Sequence, residues 1–367
     1  MRILILVGTR PNFIKITQFT TTALNSKPKI HIEIAHTGQH YDEKMADIFF
    51  RQFGLRPDHY LNIEPGSPNS QIAEIMVKLE KLCNRIGKPN LLLVPGDVNS
   101  TLAGALFANK AGIRLGHLEA GLRSFDRSMP EEFNRVLTDQ LSDLFFVTEP
   151  SGLKHLADEG VPKEKIHFVG NTMIDTMVAF EKEIDTSPIL KTLGLDQDGF
   201  VLMTMHRPAT VDNKEGLQKM VELMDMLSKK YKIVFPIHPR TLQNIKQFGL
   251  EPGFEGNSRF IRTEPLDYFG FQKLVKHCKF IITDSGGIQE ESTYRQKPCI
   301  TLRPNTERPV TVDIGTNTLL PFDMAQIKKT IASIEDGTYK KGAIPELWDG
   351  KATERILKVL MEIANKP

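Results

Sequence analysis

The sequence predicts an α/β protein made of two doubly wound parallel-sheet domains, and three observations predict it. Short apolar, β-branched runs such as Leu91-Leu-Leu-Val-Pro95 and Phe280-Ile-Ile-Thr283 read as strands covered on both faces. Each run leads into a turn and then an amphipathic helix, the order that builds parallel sheets with crossover helices. The alternation lapses over a polar, proline-containing stretch, 185–198, and then restarts, which divides 367 residues into two domains of ordinary size. The expected domains are 1–184 and 185–351, with 185–198 as the hinge.

In order, Arg2–Val7 reads as a strand running into Gly8-Thr-Arg-Pro11, where Pro11 marks a helix start. Residues 30–36 alternate as a second strand. A helix over 43–53 follows, with Met45, Ile48, Phe49 and Phe53 on one face, then a longer one over 69–86. Strand Leu91–Pro95 ends in Gly96-Asp97 before a helix of small residues, 101–111. A strand over 113–118 delivers Glu119. Pro130 opens a helix with Glu131 and Glu132 in its first turn, where the helix dipole favours acids. Residues 144–148 and 167–170 are further strands, and 171–183 a helix. The second half repeats this with strands at 200–205, 232–236, 260–265, 279–283 and 298–302 and helices over 213–231, 268–277 and 352–363. No tandem repeat appears at the ~20–50-residue periods of solenoids.

Composition narrows the function classes. Lys plus Arg number 47 against 45 for Asp plus Glu, a formal charge of +2, so cationic chemistry is local and no nucleic-acid partner is expected. Cys83, Cys278 and Cys299 are scattered and lack the spacing of a metal site or disulfide framework. No apolar run approaches the ~20 residues that span a bilayer, and no signal-peptide pattern is seen. A cytoplasmic protein with no membrane partner is the expectation.

The stretch 280–292 combines strand, glycine turn and helix start. Ser285-Gly286-Gly287 would leave helix N–H groups pointing above the strand, as in an anion site, although a strand-to-helix loop capped by Asp284 or Ser285 has the same pattern. The following loop, 302–309, brings Arg303 and Arg308 to the same sheet edge, and two arginines beside a glycine turn favour a diphosphate. Asp97 and Glu119 likewise fall at the carboxyl ends of strands, where open parallel sheets bind ligands.

Gly8-Thr-Arg-Pro11, Gly38-Gln-His-Tyr-Asp42, Gly96-Asp97, His117-Leu-Glu-Ala-Gly-Leu-Arg123, Pro130-Glu-Glu-Phe-Asn-Arg135, His206-Arg207, His238-Pro239, Asp284-Ser-Gly-Gly-Ile-Gln-Glu-Glu291 and Thr306-Glu-Arg-Pro309 together resemble the non-hydrolysing UDP-N-acetylglucosamine 2-epimerase family. The match runs in order along nearly the whole chain. The resemblance implies two Rossmann-like domains facing a cleft, the GT-B-like arrangement of nucleotide-sugar glycosyltransferases and glycogen phosphorylase, with the closing segment, 352–367, packing back on the first domain. It implies a homodimer acting on a UDP-sugar without metal or nicotinamide cofactor, supplying UDP-ManNAc for a cell-surface polysaccharide. Another UDP-2-acetamido sugar, such as a 2,3-diacetamido uronate or a 6-deoxy sugar, and a hydrolysing epimerase are the alternatives.

The C2 hydrogen of a 2-acetamido sugar is not alpha to a carbonyl, so its removal needs a sink. Oxidation at C3 would call for a G-x-G-x-x-G fingerprint after a strand, and none is present. Expelling UDP from C1 as the C2 proton leaves needs carboxylates and a phosphate clamp. By resemblance, Asp97, Glu119 and Glu131 move protons about C2, with base and acid unassigned, and their crowding would raise at least one pKa. His206 resembles the family's essential histidine near the departing diphosphate. Arg10, Ser285, Gly286, Gly287, Glu291 and Arg308 match nucleotide-gripping positions, with Lys15, Arg135 and Arg303 as second-rank contacts. Many relatives carry Arg-Glu-Asn and a glycine after His206-Arg207, where this chain has residues 208–212 as Pro-Ala-Thr-Val-Asp. Some relatives need UDP-GlcNAc at a second, activating site built partly there, and the resemblance does not carry that regulation over.

Overall fold

The computed structural model describes residues 1–24, 26–27, 29–38, 50, 52–196, 199–254 and 257–365. The expected helix over 43–53 and the Gln39–Asp42 part of the motif fall mostly or wholly outside them. The chain forms two compact units, Met1–Ala179 joined by Glu346–Pro367, and Phe180–Pro345.

In the first unit the apolar runs become β1 (Arg2–Val7), β2 (His31–His36), β3 (His59–Tyr60), β4 (Leu91–Pro95), β5 (Arg114–Leu118), β6 (Leu144–Val147) and β7 (Ile166–Phe168). They pair in the order β3-β2-β1-β4-β5-β6-β7, and every pairing is parallel. Residues 3–7 of β1 and all of β4 are buried, as continuous apolar strands under two helix layers must be. Helix Pro68–Ile86 is capped by Ser67, whose hydroxyl accepts the Ser70 N–H at 3.2 Å, and turns Ile75, Leu79, Leu82 and Cys83 inward. Helix Asn99–Ala111 buries Ala103, Ala105 and Ala108, small residues that let it lie close on the sheet. The closing helix, Ala352–Ala364, packs on helices Phe19–Ala23 and Thr172–Ala179. Asp175 accepts the Ala352 and Thr353 N–H groups at 3.0 and 2.6 Å, and the buried Trp348 indole donates to the Thr148 carbonyl at 2.9 Å.

In the second unit β8 (Phe200–Thr204), β9 (Lys232–Pro236), β10 (Phe260–Thr263), β11 (Phe280–Thr283), β12 (Cys299–Leu302) and β13 (Asn317–Leu320) order as β10-β9-β8-β11-β12-β13, again all parallel. β3 and β13 were not legible in the sequence: one has two residues, and the other is a short edge strand opening on Asn-Thr. No helix among the described residues is long and apolar enough to cross a membrane.

The units divide between Ala179 and Phe180, a few residues before the expected domain boundary at 184. The helix read over 171–183 is broken into Thr172–Ala179 and Glu181–Thr186, and the units divide between them. The stretch 185–198 belongs to the second unit. Glu181 is held by both guanidinium nitrogens of Arg295 at 2.8 and 2.6 Å and by Lys276 at 2.7 Å, while Lys276 also reaches Asp185 at 2.5 Å. This cluster fastens the start of the second unit to helices Tyr268–His277 and Gly286–Tyr294. Burial pushes the Glu181 carboxyl up, but the Arg295 and Lys276 contacts outweigh it and carry its pKa from the ordinary 4.5 down to about 2. A folded-state pKa below the unfolded one contributes stability that is present above pH 4.5 and lost as pH falls toward 2. Amide exchange in helix Tyr268–His277 should therefore quicken as pH drops through that window once intrinsic exchange is corrected for. Glu181→Gln should show a shallower dependence, and equal slopes would remove this ion cluster as the anchor.

Candidate functional site

Both sheets reverse direction of growth, between β1 and β4 in one unit and between β8 and β11 in the other. The chains leaving such a strand pair diverge to opposite faces and open a crevice at the carboxyl ends. Of the first unit's candidates, Asp97 and Glu119 follow strands, Arg10 and Glu131 open helices, Lys15 follows a short helix, and Arg135 lies on the second turn of helix Pro130–Leu141.

At the first reversal, Asn12 joins the two sides. Its Oδ1 accepts from the Thr9 N–H and hydroxyl at 3.1 and 2.9 Å, and its Nδ2 donates to the Pro95 carbonyl at 2.9 Å. Arg10 opens the short helix Arg10–Ile14, and Lys15 follows its end. The buried Lys15 ammonium forms an ion pair with the buried Glu119 carboxylate. Both crowd the Gly96 turn: a Cβ on Gly96 would sit 2.9 Å from Lys15 Nζ and 3.4 Å from Glu119 Oε2, and its φ of +70° lies in the left-handed region. Only glycine suits that place. Glu119 has a left-handed φ of +68° itself, uncommon for a residue with a side chain, and the Phe146 carbonyl accepts the N–H groups of Glu119 and Ala120 at 3.1 and 3.2 Å.

Asp97 does not cap the next helix, whose N-cap is Val98. Its carboxylate accepts from Arg135 at 2.6 Å, and its carbonyl from Asn134 Nδ2 at 2.9 Å. Arg135 is fixed in turn by an ion pair with Glu132. Glu131 and Glu132 are neighbours in one helical turn, so they point about 100° apart. Glu132 is buried and accepts from Ser124 and the Phe125 N–H at 2.8–2.9 Å; burial raises its pKa, yet these bonds and Arg135 leave it below the ordinary value. Glu131 is exposed and lines a cavity of about 230 Å³ with Gly8, Thr9, Ser100 and Asn134. Thus Asp97 and Glu119 share the Gly96 turn, and Glu131 lies along the wall that Asn134 connects to Asp97. Lys15 accompanies Glu119, and Arg135 accompanies Asp97.

Behind this turn lies a buried network that the sequence did not reveal. His117 places Nε2 2.7 Å from the Gly96 carbonyl and Nδ1 2.7 Å from Asp139, which also meets Arg123 at 2.7 Å; Arg123 continues to Glu159 at 2.8 Å. Burial raises the Asp139 carboxyl, but His117 and Arg123 hold it below the ordinary value.

In the second unit, His206 follows β8 and Asp284 follows β11. Asp284 is fully buried. Ser285 is the N-cap of helix Gly286–Tyr294 without a capping side-chain bond, and its N–H donates to Thr283 Oγ1 at 2.9 Å. Glu291 is buried on that helix. Arg303 and Arg308 are buried rather than free: Arg308 pairs with Glu307 and with Glu290 at 2.8 Å, and Arg303 with Glu307 at 2.9 Å. A Cβ on Gly286 would meet Arg308 and Glu307 atoms at 2.8 Å, so glycine admits this pair. The two positive charges expected here are matched by Glu290 and Glu307.

The family model for UDP-N-acetylglucosamine 2-epimerase matches residues 22–361. The chain belongs to the UDP-N-acetylglucosamine 2-epimerase family. A UDP-N-acetylglucosamine 2-epimerase of Methanococcus maripaludis is 43% identical over 330 residues, 88% of each chain. A UDP-2,3-diacetamido-2,3-dideoxy-D-glucuronate 2-epimerase of Pseudomonas aeruginosa is 38% identical over 325 residues, 87% of this chain and 88% of that one. The crystal structure of the Methanocaldococcus jannaschii UDP-GlcNAc 2-epimerase in complex with UDP-GlcNAc and UDP covers 99% of this chain and 100% of its own, at 38% identity and a TM-score of 0.90. The two-sheet α/β class read from the sequence is therefore the class of this epimerase family.

Lys15→Met should be costly, because it leaves Glu119 buried without its cation. About 3–5 kcal/mol of first-unit stability is the expected loss. The single tryptophan, Trp348, lies in that unit and reports its unfolding in urea. A midpoint unchanged from wild type would mean that Glu119 finds another partner.

Proposed function

We propose that this protein interconverts UDP-GlcNAc and UDP-ManNAc by eliminating UDP and adding it back. A carboxylate takes the C2 proton, the C1–O bond breaks as its electrons leave with UDP, and a 2-acetamidoglucal remains. In the return step UDP attacks C1 while C2 receives a proton on its other face. The observation that carries this reading is the gathering of Asp97, Glu119 and Glu131 about one strand-order reversal, within a chain of this family. Asp97, Glu119 and Glu131 move the protons, His206 assists departure of the diphosphate, and Arg10, Lys15, Arg135, Ser285, Gly286, Gly287, Glu291, Arg303 and Arg308 serve binding. Lys15 and Arg135 fix the carboxylates they accompany, so their contribution is orientation as much as contact. We assign the nucleotide to the second unit and the C2 chemistry to the first. The product supplies a surface polysaccharide, and the working form is a cytoplasmic homodimer.

A second reading keeps the chemistry and changes the sugar. The 38% identity to a diacetamido-glucuronate epimerase favours it, since a relative nearly as similar acts on a different UDP-2-acetamido sugar by name.

Proton NMR of the protein with UDP-GlcNAc in D2O decides between these. Deuterium at C2 with new UDP-ManNAc signals is expected; UDP with free ManNAc would indicate hydrolysis, and turnover of the diacetamido uronate alone would select the second reading. Asp97→Asn, Glu119→Gln and Glu131→Gln should each keep UDP affinity and lose roughly 10²–10⁴-fold in turnover. Wild-type turnover in two of them would remove the proton-transfer role. Arg308→Ala should weaken UDP by about tenfold or more, the worth of one charge-assisted contact, as read by calorimetry on the folded variant.

A further inference from the structure

The reversal between β8 and β11 is bridged by buried side chains: the Thr204 and Thr283 hydroxyls meet at 2.7 Å, and beyond them Asp284 reaches back to the chain after β8. Its Oδ2 accepts the backbone N–H groups of His206 and Arg207 at 3.0 and 2.9 Å, and Oδ1 stands 3.0 Å from His206 Nδ1. Arg207 Nε donates back to the Asp284 carbonyl at 2.9 Å. The Asp284 carboxylate is fully buried, whereas the His206 side chain is about half exposed. We propose that Asp284 is the positioning residue for His206, fixing the ring with its proton on Nδ1 and presenting Nε2 to the reacting group. The inference rests on the reading of His206 given above.

The argument follows from donor and acceptor counting. Both oxygens of Asp284 face N–H donors, so the carboxylate acts as an acceptor throughout, and the ring nitrogen beside it must carry hydrogen. The remaining nitrogen, Nε2, is then the working atom. Protonated, it donates toward the departing diphosphate oxygen; neutral, it accepts the proton back when UDP returns. A carboxylate that holds a histidine this way sets its orientation and tautomer without touching substrate. Asp284 also holds the backbone on which His206 is mounted, so ring and turn are fixed by one group.

Asp284→Asn separates these duties. The amide oxygen can keep the His206 and Arg207 N–H donors, which leaves Nδ2 as a donor facing Nδ1. The ring must then move its proton to Nε2. Nitrogen-15 NMR of histidine-labelled protein, at a pH where the ring is neutral, should show the Nδ1–H form in the wild type and the Nε2–H form in Asp284→Asn. Turnover of the UDP-sugar should fall roughly 10²–10⁴-fold in the variant, with KM within about threefold. An Nε2–H ring in the wild type would overturn the proposal, as would unchanged kcat in Asp284→Asn when His206→Asn is inactive. If the wild type turned over no UDP-2-acetamido sugar, the functional reading would fail while the tautomer still decided the role of Asp284. If the Asn variant failed to fold, the wild-type tautomer alone would decide in the same way.

Discussion

Everything at the two candidate sites depends on the reversal of strand order in a parallel sheet. Where crossovers change faces, two neighbouring strands lose the helices that would pack over their ends, and backbone groups there face a crevice. Such a place must be held open by side chains, since no ladder continues. In the first unit the tie is Asn12, reaching from the β1 loop to the Pro95 carbonyl. In the second it is Asp284, reaching from β11 to the N–H groups after β8. A neutral amide and a carboxylate thus do the same structural work with different electrostatic results. Near the first tie stand three acids with two cations among them; the second tie is itself an acid and grips an imidazole.

Charge balance is the second constraint. Taking a carboxylate out of water costs several kcal/mol unless a partner is in place. Glu119 has Lys15, Asp97 has Arg135, and Arg135 has Glu132 as well. Asp139 sits between His117 and Arg123, and Glu159 completes the row. Glu307 divides itself between Arg303 and Arg308. Asp97 and Glu119 are therefore oriented by charged partners before any substrate arrives. Preorganised charge of this kind needs no rearrangement during reaction.

How much of this could be read in the sequence varies with the range of the interaction. Strands such as Leu91–Pro95 and Phe280–Thr283 were plain, because burial on both faces demands continuous apolar residues. That Glu131 and Glu132 would part, one to a cavity and one to Arg135, follows from the helix once its inward face is known, but two adjacent acids do not say which is which. Asp284 was read as a possible cap for the helix it precedes, when the carboxylate looks back to residues 206 and 207. No local pattern marks a bond spanning that much chain. Glu307 lies between the two arginines it pairs with, so half of that correction was available within eight residues, while the other half, Glu290, comes from the preceding helix.

The move of the unit boundary shows the same rivalry between composition and contact. Polar residues and a proline made 185–198 look like a linker, the composition that chains use where few contacts cross. Composition describes what a segment can do in water, and here it does something else. Lys276 lies on one helix and Arg295 at the end of another, and they gather Glu181 and Asp185 into one cluster that fixes the chain as soon as it enters the second unit. The passage is then confined to the few residues between the two clamped ends, Thr172–Ala179 packed beneath the closing helix and Glu181 in its ion cluster. Phe180, between two helices and at the division of the units, is where the backbone departs from helical form. The chain therefore passes from one unit to the other at Phe180 and returns near Glu346, and the ion cluster holds Glu181 and Asp185 within the second unit.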